Sequence, residues 1–238
     1  AGFLDEVAID VSYQGVNDNR RVQKDAVSAL ERERNLSQLV EARAVLRSTV
    51  EKRLALTYGA DFTFDRVTSH KNETDPTSGE VSTVSARYAD GATMLGTAAF
   101  VDAVWRPLEA WTFNAGAPIN VFDVDIPLAD RPVGMRLSRG VLTGGAGAAF
   151  QVLPSLALVA NFGRAFRAPN VFDLSLLGDR PGNRYNIPNP SLGPESVFGA
   201  DVGLKFSGRV VTGELFFFYA DYSDKIESRE TGDLTSDG

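Results

Sequence analysis

The sequence has no cysteine and a single histidine, His70. Disulfides, thiolate metal sites and cysteine nucleophiles are excluded, as is any metal site needing two histidines. A Ser-His-Asp arrangement would have to use His70, which has only ordinary Asp and Glu residues near it in its own segment. Basic residues are outnumbered: 24 Lys and Arg stand against 31 Asp and Glu, a net charge of −7. That balance argues against a nucleic-acid partner, which would want a basic patch. No catalytic residue, metal ligand or cofactor site is expected, and an enzyme is not. The sequence also opens directly into a strand-like run with no signal-peptide pattern, so it is read as a fragment of a longer protein.

What is present favours strands. The 238 residues are 43% hydrophobic, with 22 Gly and 15 Phe. Glycine is costly inside helices, whereas aromatics suit a pleated surface. One uncharged run, 141–163, is long enough for a membrane helix, but Pro154 sits near its middle. Two strands of about ten residues joined at Leu153-Pro154-Ser155 fit better, because a tilted membrane strand needs about that length.

Alternation supports strands elsewhere. Leu54, Leu56, Tyr58, Ala60, Phe62 and Phe64 interleave with Arg53, Ala55, Thr57, Gly59, Asp61, Thr63 and Asp65. Trp111 to Val121, Phe198 to Phe206 and Val7 to Tyr13 repeat the pattern. About nine strands are expected, near 5–16, 36–50, 53–68, 94–106, 110–125, 141–151, 156–165, 196–206 and 209–222. Short turns fall near Glu51-Lys52, Pro107-Leu108-Glu109, Leu153-Pro154-Ser155 and Ser207-Gly208. Long polar loops fall at 69–93, 126–140 and 166–195. Segment 17–35 is read as a loop with extended strand ends, although 26–34 has the composition of a short amphipathic helix. Short turns alternating with long loops are the pattern of an outer-membrane barrel. A soluble sandwich or barrel also alternates and stays an open alternative.

On the barrel reading, Tyr58, Phe62, Trp111, Phe198, Phe206, Tyr219 and Tyr222 are candidates for lipid contact and interfacial girdles. Asp61, Asp65, Asp201, Lys205 and Glu214 would face a wet lumen, where a charge needs no buried partner.

Three ordered boxes are the most specific feature. Gly163-Arg164-Ala165-Phe166-Arg167-Ala168-Pro169 is followed by Asn189-Pro190-Ser191-Leu192-Gly193-Pro194-Glu195, then by Tyr219-Ala220-Asp221-Tyr222-Ser223-Asp224-Lys225-Ile226. This series resembles the barrel of TonB-dependent outer-membrane receptors. The resemblance is carried by Phe166, Arg167, Ala168, Pro169, Asn189, Pro190, Leu192, Pro194 and Glu195. It implies an all-β fold: an antiparallel transmembrane β-barrel fragment, about nine strands of a 22-stranded plugged barrel, with long extracellular loops and short periplasmic turns. Residues 1–238 would be part of the barrel domain, with the plug domain absent from this stretch.

The implied function is import of a scarce nutrient complex across the bacterial outer membrane, most often a ferric siderophore or other iron chelate, energised through the TonB protein. The implied partners are TonB, reached through the plug, a metal chelate or vitamin cargo, and outer-membrane lipid. A passive porin or autotransporter-type barrel and a soluble β-sandwich binding module remain alternatives.

Arg164 and Arg167 flank Phe166 at the entry to the long 166–195 loop, and arginine clamps carboxylates or phosphates well. The competing reading pairs Arg167 with Glu195 or Asp173 to hold the loop base. Five prolines stiffen that loop, which could then present Arg180, Asn183, Arg184 and Tyr185 to a ligand. His70 reads as a solvated loop residue, and the absence of histidine from 170–188 weakens haem as a cargo.

Overall fold

The computed structural model describes residues 4–127, 134–175, 178–180, 184–186, 189, 191–230 and 232, with backbone alone for 172, 175, 178–180 and 184–186. Its elements are β1 (Glu6–Val22), β2 (Leu30–Val50), β3 (Leu54–Thr74), β4 (Val81–Val84), β5 (Thr93–Leu108), β6 (Trp111–Ile126), β7 (Met135–Leu142), β8 (Gly144–Leu153), β9 (Leu156–Arg167), α1 (Val171–Ser175), β10 (Gly178–Arg180), β11 (Arg184–Asn186), β12 (Glu195–Ser207) and β13 (Thr212–Ser223). One antiparallel sheet runs β1-β2-β3-β5-β6-β8-β9-β12-β13, with β4 beside β3 and β7 beside β6. The strands on that path are the expected set in the expected order, so neighbours in sequence are neighbours in space.

The expected loops are shorter than their sequence suggested. Segment 17–35 is mostly strand: β1 runs on to Val22, β2 starts at Leu30, and Arg20 faces Glu33 across the pair. No helix forms there, because Glu31-Arg32-Glu33-Arg34 alternates with the period of a strand rather than a helix. Asp25 closes the turn, its Oδ1 accepting the amides of Val27 (3.0 Å) and Ser28 (2.7 Å). In 69–93, β3 continues to Thr74 and β4 folds back on it. Asp75 Oδ1 accepts Thr77 and Ser78 amides at 2.7 and 2.8 Å in the same Asx geometry. Both polar hairpin tips therefore bond their own backbone, which reads as loop by composition. In 126–140, β7 pairs β6 from Met135 onward. In 166–195 lie α1 and the β10–β11 pair. The strand expected at 141–151 is split at Thr143 into β7 and β8.

Across all these pairs the register puts like faces together. Ile9, Ala44, Ala60, Ala99 and Ile119 form one rung, and Val11, Ala42, Phe62, Thr97 and Val121 another. This face is apolar and open: Val11 is 73% exposed and Phe162 58%. At the short-turn end it carries an aromatic group, with Trp111 4.5 Å from Phe150 and 5.4 Å from Phe113 between ring centres. That is the girdle expected of a lipid-facing wall. Tyr222 is a correction: it pairs with Val197, one residue out of phase with Phe198, and so shares the lumenal face.

The lumenal face is polar and internally paired. Arg43 meets Asp61 at 3.1 Å, Ser37 meets Asp65 at 2.9 Å, Asn161 meets Asp201 at 2.8 Å and Lys205 meets Glu214 at 3.4 Å. The apolar core lies on this face too, but at the long-loop end. Val67, Phe122, Val124, Ile126 and Leu137 of the wall pack with Ala89, Ala92, Val171 and Leu174 of the loops. Loop segments are thus folded inward onto the wall rather than standing away from it.

Candidate functional site

The sequence boxes meet at the base of the long loop. Arg167 ends β9 and Glu195 begins β12, and the two face each other across the pair. Arg167 Nε donates to Glu195 Oε1 at 2.6 Å, and its Nη1 donates to Asp173 Oδ2 at 2.7 Å. Both carboxylates proposed to compete for this arginine therefore hold it together. Glu195 Oε2 also accepts the Ile226 amide at 2.9 Å, just after Asp224 turns the chain with φ of 54°. One residue from each box closes the contact: Arg167, Glu195 and Ile226.

The same point nucleates α1. Asn170 Oδ1 accepts the Asp173 amide at 2.9 Å, and Asp173 Oδ2 accepts the Asn170 amide at 3.0 Å, a reciprocal cap. Pro169 is fully buried, and Ala168 and Leu192 pack against the core that holds the loops. Phe166 stacks over Phe122 with ring centres 6.3 Å apart. Asn189 Oδ1 accepts the Ser191 amide at 3.0 Å, turning the chain toward Leu192. The second box thus uses its polar residues for turns and clamps and its apolar ones for anchorage. Pro190 lies outside the described residues.

Charge at this clamp is strongly biased. The Arg167 guanidinium, and then the Ile226 amide, hold the Glu195 carboxyl below its usual range. Glu195 and then Asp173 hold Arg167 above its own. These groups lie above the apolar band, whose outward rungs on β9 and β12 end near Phe162 and Phe198.

Beside the clamp is a cleft. Pairing of β8 with β9 ends at Gly144↔Arg164, while β7 above it pairs with β6 alone. The concavity left there has a volume of about 550 Å³ and is lined by Asp102, Asn114, Asn120, Asn161 and Arg164 among others. Arg164 also donates to Ser196 Oγ at 3.2 Å. By register Arg164 belongs with Phe162 to the outward set of β9, while Asn161, Asp102, Asn114 and Asn120 belong to the lumenal set, so the cleft passes through the gap in the wall with the guanidinium on its outer side and the amides and one carboxylate on its inner side. Asp102, Asn114 and Asn120 were not singled out from the sequence. Their signal was there, since each is the polar partner of an apolar neighbour in an alternating run, but nothing local says that β7 leaves the wall beside them.

The remaining expected ligand residues are placed only in part. Arg180 faces Arg184 and Asp179 faces Tyr185 in the β10–β11 pair, so Arg180, Arg184 and Tyr185 cluster on one small hairpin. Asn183 lies outside the described residues. His70 stands 3.9 Å from Asp90 at the outer edge of β3, away from the cleft. Among the described residues no group of three or more His, Asp or Glu is arranged to hold a metal ion.

A family model described as TonB dependent receptor-like, beta-barrel, matches residues 4–238. Among solved structures, the copper transporter OprC aligns with a TM-score of 0.77 at 14% identity, covering 92% of this chain and 35% of its own. The ferric citrate transporter FecA in its unliganded form aligns at 0.64 and 14% identity, covering 96% and 33%. The ferric yersiniabactin uptake receptor FyuA from Yersinia pestis aligns at 0.61 and 14%, covering 92% and 33%. The search of curated proteins found no match. The chain spans about a third of the length of the solved receptors it matches.

Proposed function

The chain belongs to the TonB-dependent receptor β-barrel family, and on that premise we propose that it forms part of the wall and mouth of a receptor importing an iron chelate, a ferric siderophore, through the bacterial outer membrane. The observation that carries the reading is the closure of Arg167, Glu195 and Ile226 at the loop base. A passive pore needs no such device. A receptor that must hold a long loop over a lumenal cleft does, because ordering the loop beforehand lowers the entropy lost on binding.

Residues 1–238 are barrel wall on this reading, and a plug elsewhere in the protein gives access to TonB. Arg180, Arg184 and Tyr185 of the hairpin, with Asn183, would meet the cargo, and Arg164 would reach it through the gap in the wall, while Arg167 positions the loop. Two of the three solved structures named above are of receptors for ferric chelates and the third is of a copper transporter, which supports a metal complex as cargo. The chemistry is recognition and passage, with no covalent step.

The test is uptake of radiolabelled ferric chelates by cells carrying the complete receptor, with and without TonB, under iron limitation. Saturable uptake that stops without TonB and falls several-fold in R164A or R180A/R184A is expected. TonB-independent, non-saturable flux would point to a porin. Normal growth under iron limitation but failure under cobalamin limitation would move the cargo to the vitamin.

A further inference from the structure

We propose that the gap between β7 and β9 is a lateral slot for the acyl chain of an amphiphilic metal chelate, whose oxygen-rich head lies in the lumen while its tail runs out into the outer leaflet. The proposal rests on the chelate-importer reading above and adds to it a class of cargo.

The wall is incomplete at one place. β8 pairs with β9 up to Gly144↔Arg164, and β9 runs on to Arg167 with β12 on its other side. β7 keeps the register of β8 against β6 but pairs with nothing toward β9 among the described residues. In a continued ladder Thr143, Leu142 and Val141 would face Ala165, Phe166 and Arg167. The sill of the gap is bare backbone: Gly144, Gly145 and Gly163 meet there, and a Cβ on Gly145 would run into the Phe162 carbonyl oxygen.

Height and polarity select the occupant. At about 3.4 Å per residue and a tilt of about 45°, Gly144 stands about 22 Å above Leu153 at the short turn. The apolar band of such a wall is about 25 Å tall. The gap therefore opens at the upper rim of the band, where water serves backbone groups that lipid cannot. On its outer side stand the exposed Ile119, Leu142 and Phe162, and on its inner side Asp102, Asn114, Asn120 and Asn161. Phe166 already takes a hydrocarbon group across. Opposite Ser196, it belongs by register with Phe162 and Arg164 to the outward set, yet its ring packs inward over the buried Phe122, in the cluster that Val141 also joins. The cleft stays open beside that ring, and its volume of about 550 Å³ is that of a small-ligand site.

A wholly polar chelate would leave the apolar outer lip unused, and a membrane lipid keeps its head at the interface rather than on the inner amides. An amphiphile satisfies both sides. Its head exchanges hydrogen bonds with the amides, Arg164 donates to the carbonyl oxygen that links head to tail, and the tail stays in hydrocarbon. A closed wall would draw that tail into the wet lumen, where each methylene exposed to water weakens binding about fourfold.

The test uses the complete receptor in lipid nanodiscs, with ferric trihydroxamate, triscatecholate and citrate chelates, each with and without a dodecanoyl chain. Empty nanodiscs correct for partition into lipid. At least one head is expected to bind, and its acylated form at least about tenfold tighter. A165W fills the gap from the β9 side. It should weaken the acylated form by more than about tenfold, as two displaced methylenes require, and the bare form by less than about twofold. A fluorophore at the end of the bound tail should be quenched by brominated lipid. Equal affinity for acylated and bare chelates would overturn the slot alone, as would an acyl advantage that survives A165W or a bound tail that escapes quenching. Binding of no chelate in either form would overturn the iron-chelate reading and the slot with it. Heat-modifiable gel mobility checks barrel folding. If A165W fails that check, T143W fills the gap from the opposite strand, and an undiminished preference for the acylated form then rejects the slot.

Discussion

Arg167 shows how one side chain can matter for function more than for stability. Its side chain is 43% exposed, and exposed ion pairs add little to global stability. R167Q is therefore expected to leave the thermal midpoint nearly unchanged while protease cutting within 168–194 rises several-fold. The pH response follows from Glu195. Its folded carboxyl titrates below the usual value of 4.5, so the clamp contributes stability above that value and loses it as pH falls through the lower folded one. Hydrogen exchange at Ile226, corrected for intrinsic rate, should stay protected from neutral pH to about 5 and lose protection only below the ordinary glutamate range. Ile126 acts the other way, since it is fully buried beneath the loops. I126A should cost about 2–5 kcal/mol locally, read as faster exchange in 87–92 and 168–174.

Among the elements, the strands were legible in sequence and the tips were not. Alternation told the membrane-depth strands apart, because lipid on one side and water on the other impose a period of two. The tips of β1, β2 and β3 rise beyond the lipid, where neither face must be apolar, so the pattern becomes one of charge sign. The tight turn at Glu51-Lys52 was anticipated, and both residues have positive φ, 50° and 59°. Such a type I′ geometry prefers Asn-Gly. E51N/K52G is expected to stabilise the β2–β3 hairpin by about 0.4–1 kcal/mol, measured as a higher denaturant midpoint of the receptor. Gly59 illustrates the opposite constraint: a Cβ there would run into the Ala44 carbonyl oxygen and crowd Phe100. G59V should lower the yield of heat-modifiable barrel, because backbone on the facing strand cannot move aside without breaking the ladder.

At the scale of the whole molecule, the main path of the sheet ends, among the described residues, at β1 on one side and β13 on the other. Each edge presents unpaired amides and carbonyls, which lipid cannot satisfy and other chains can. Residues 1–238 expressed alone are expected to aggregate or to need detergent, with no heat-modifiable monomer on gels. A soluble monomer unfolding cooperatively would contradict the membrane placement. The inward-folded loops matter at this scale as well, since Ala89, Ala92, Val171 and Leu174 cover the lumenal face of the wall at its long-loop end.

Sequence alone determined the nine strands of the main path, their order and, Tyr222 apart, their two faces, because each strand meets lipid and water independently and records that meeting every second residue. It also carried the three boxes. Tertiary structure decided what the boxes do: residues 28 and 31 positions apart close one clamp, and no local pattern encodes that. It decided likewise that β7 leaves β9 to open a cleft through the wall. Those are properties of register between strands, which exist only once the sheet has formed.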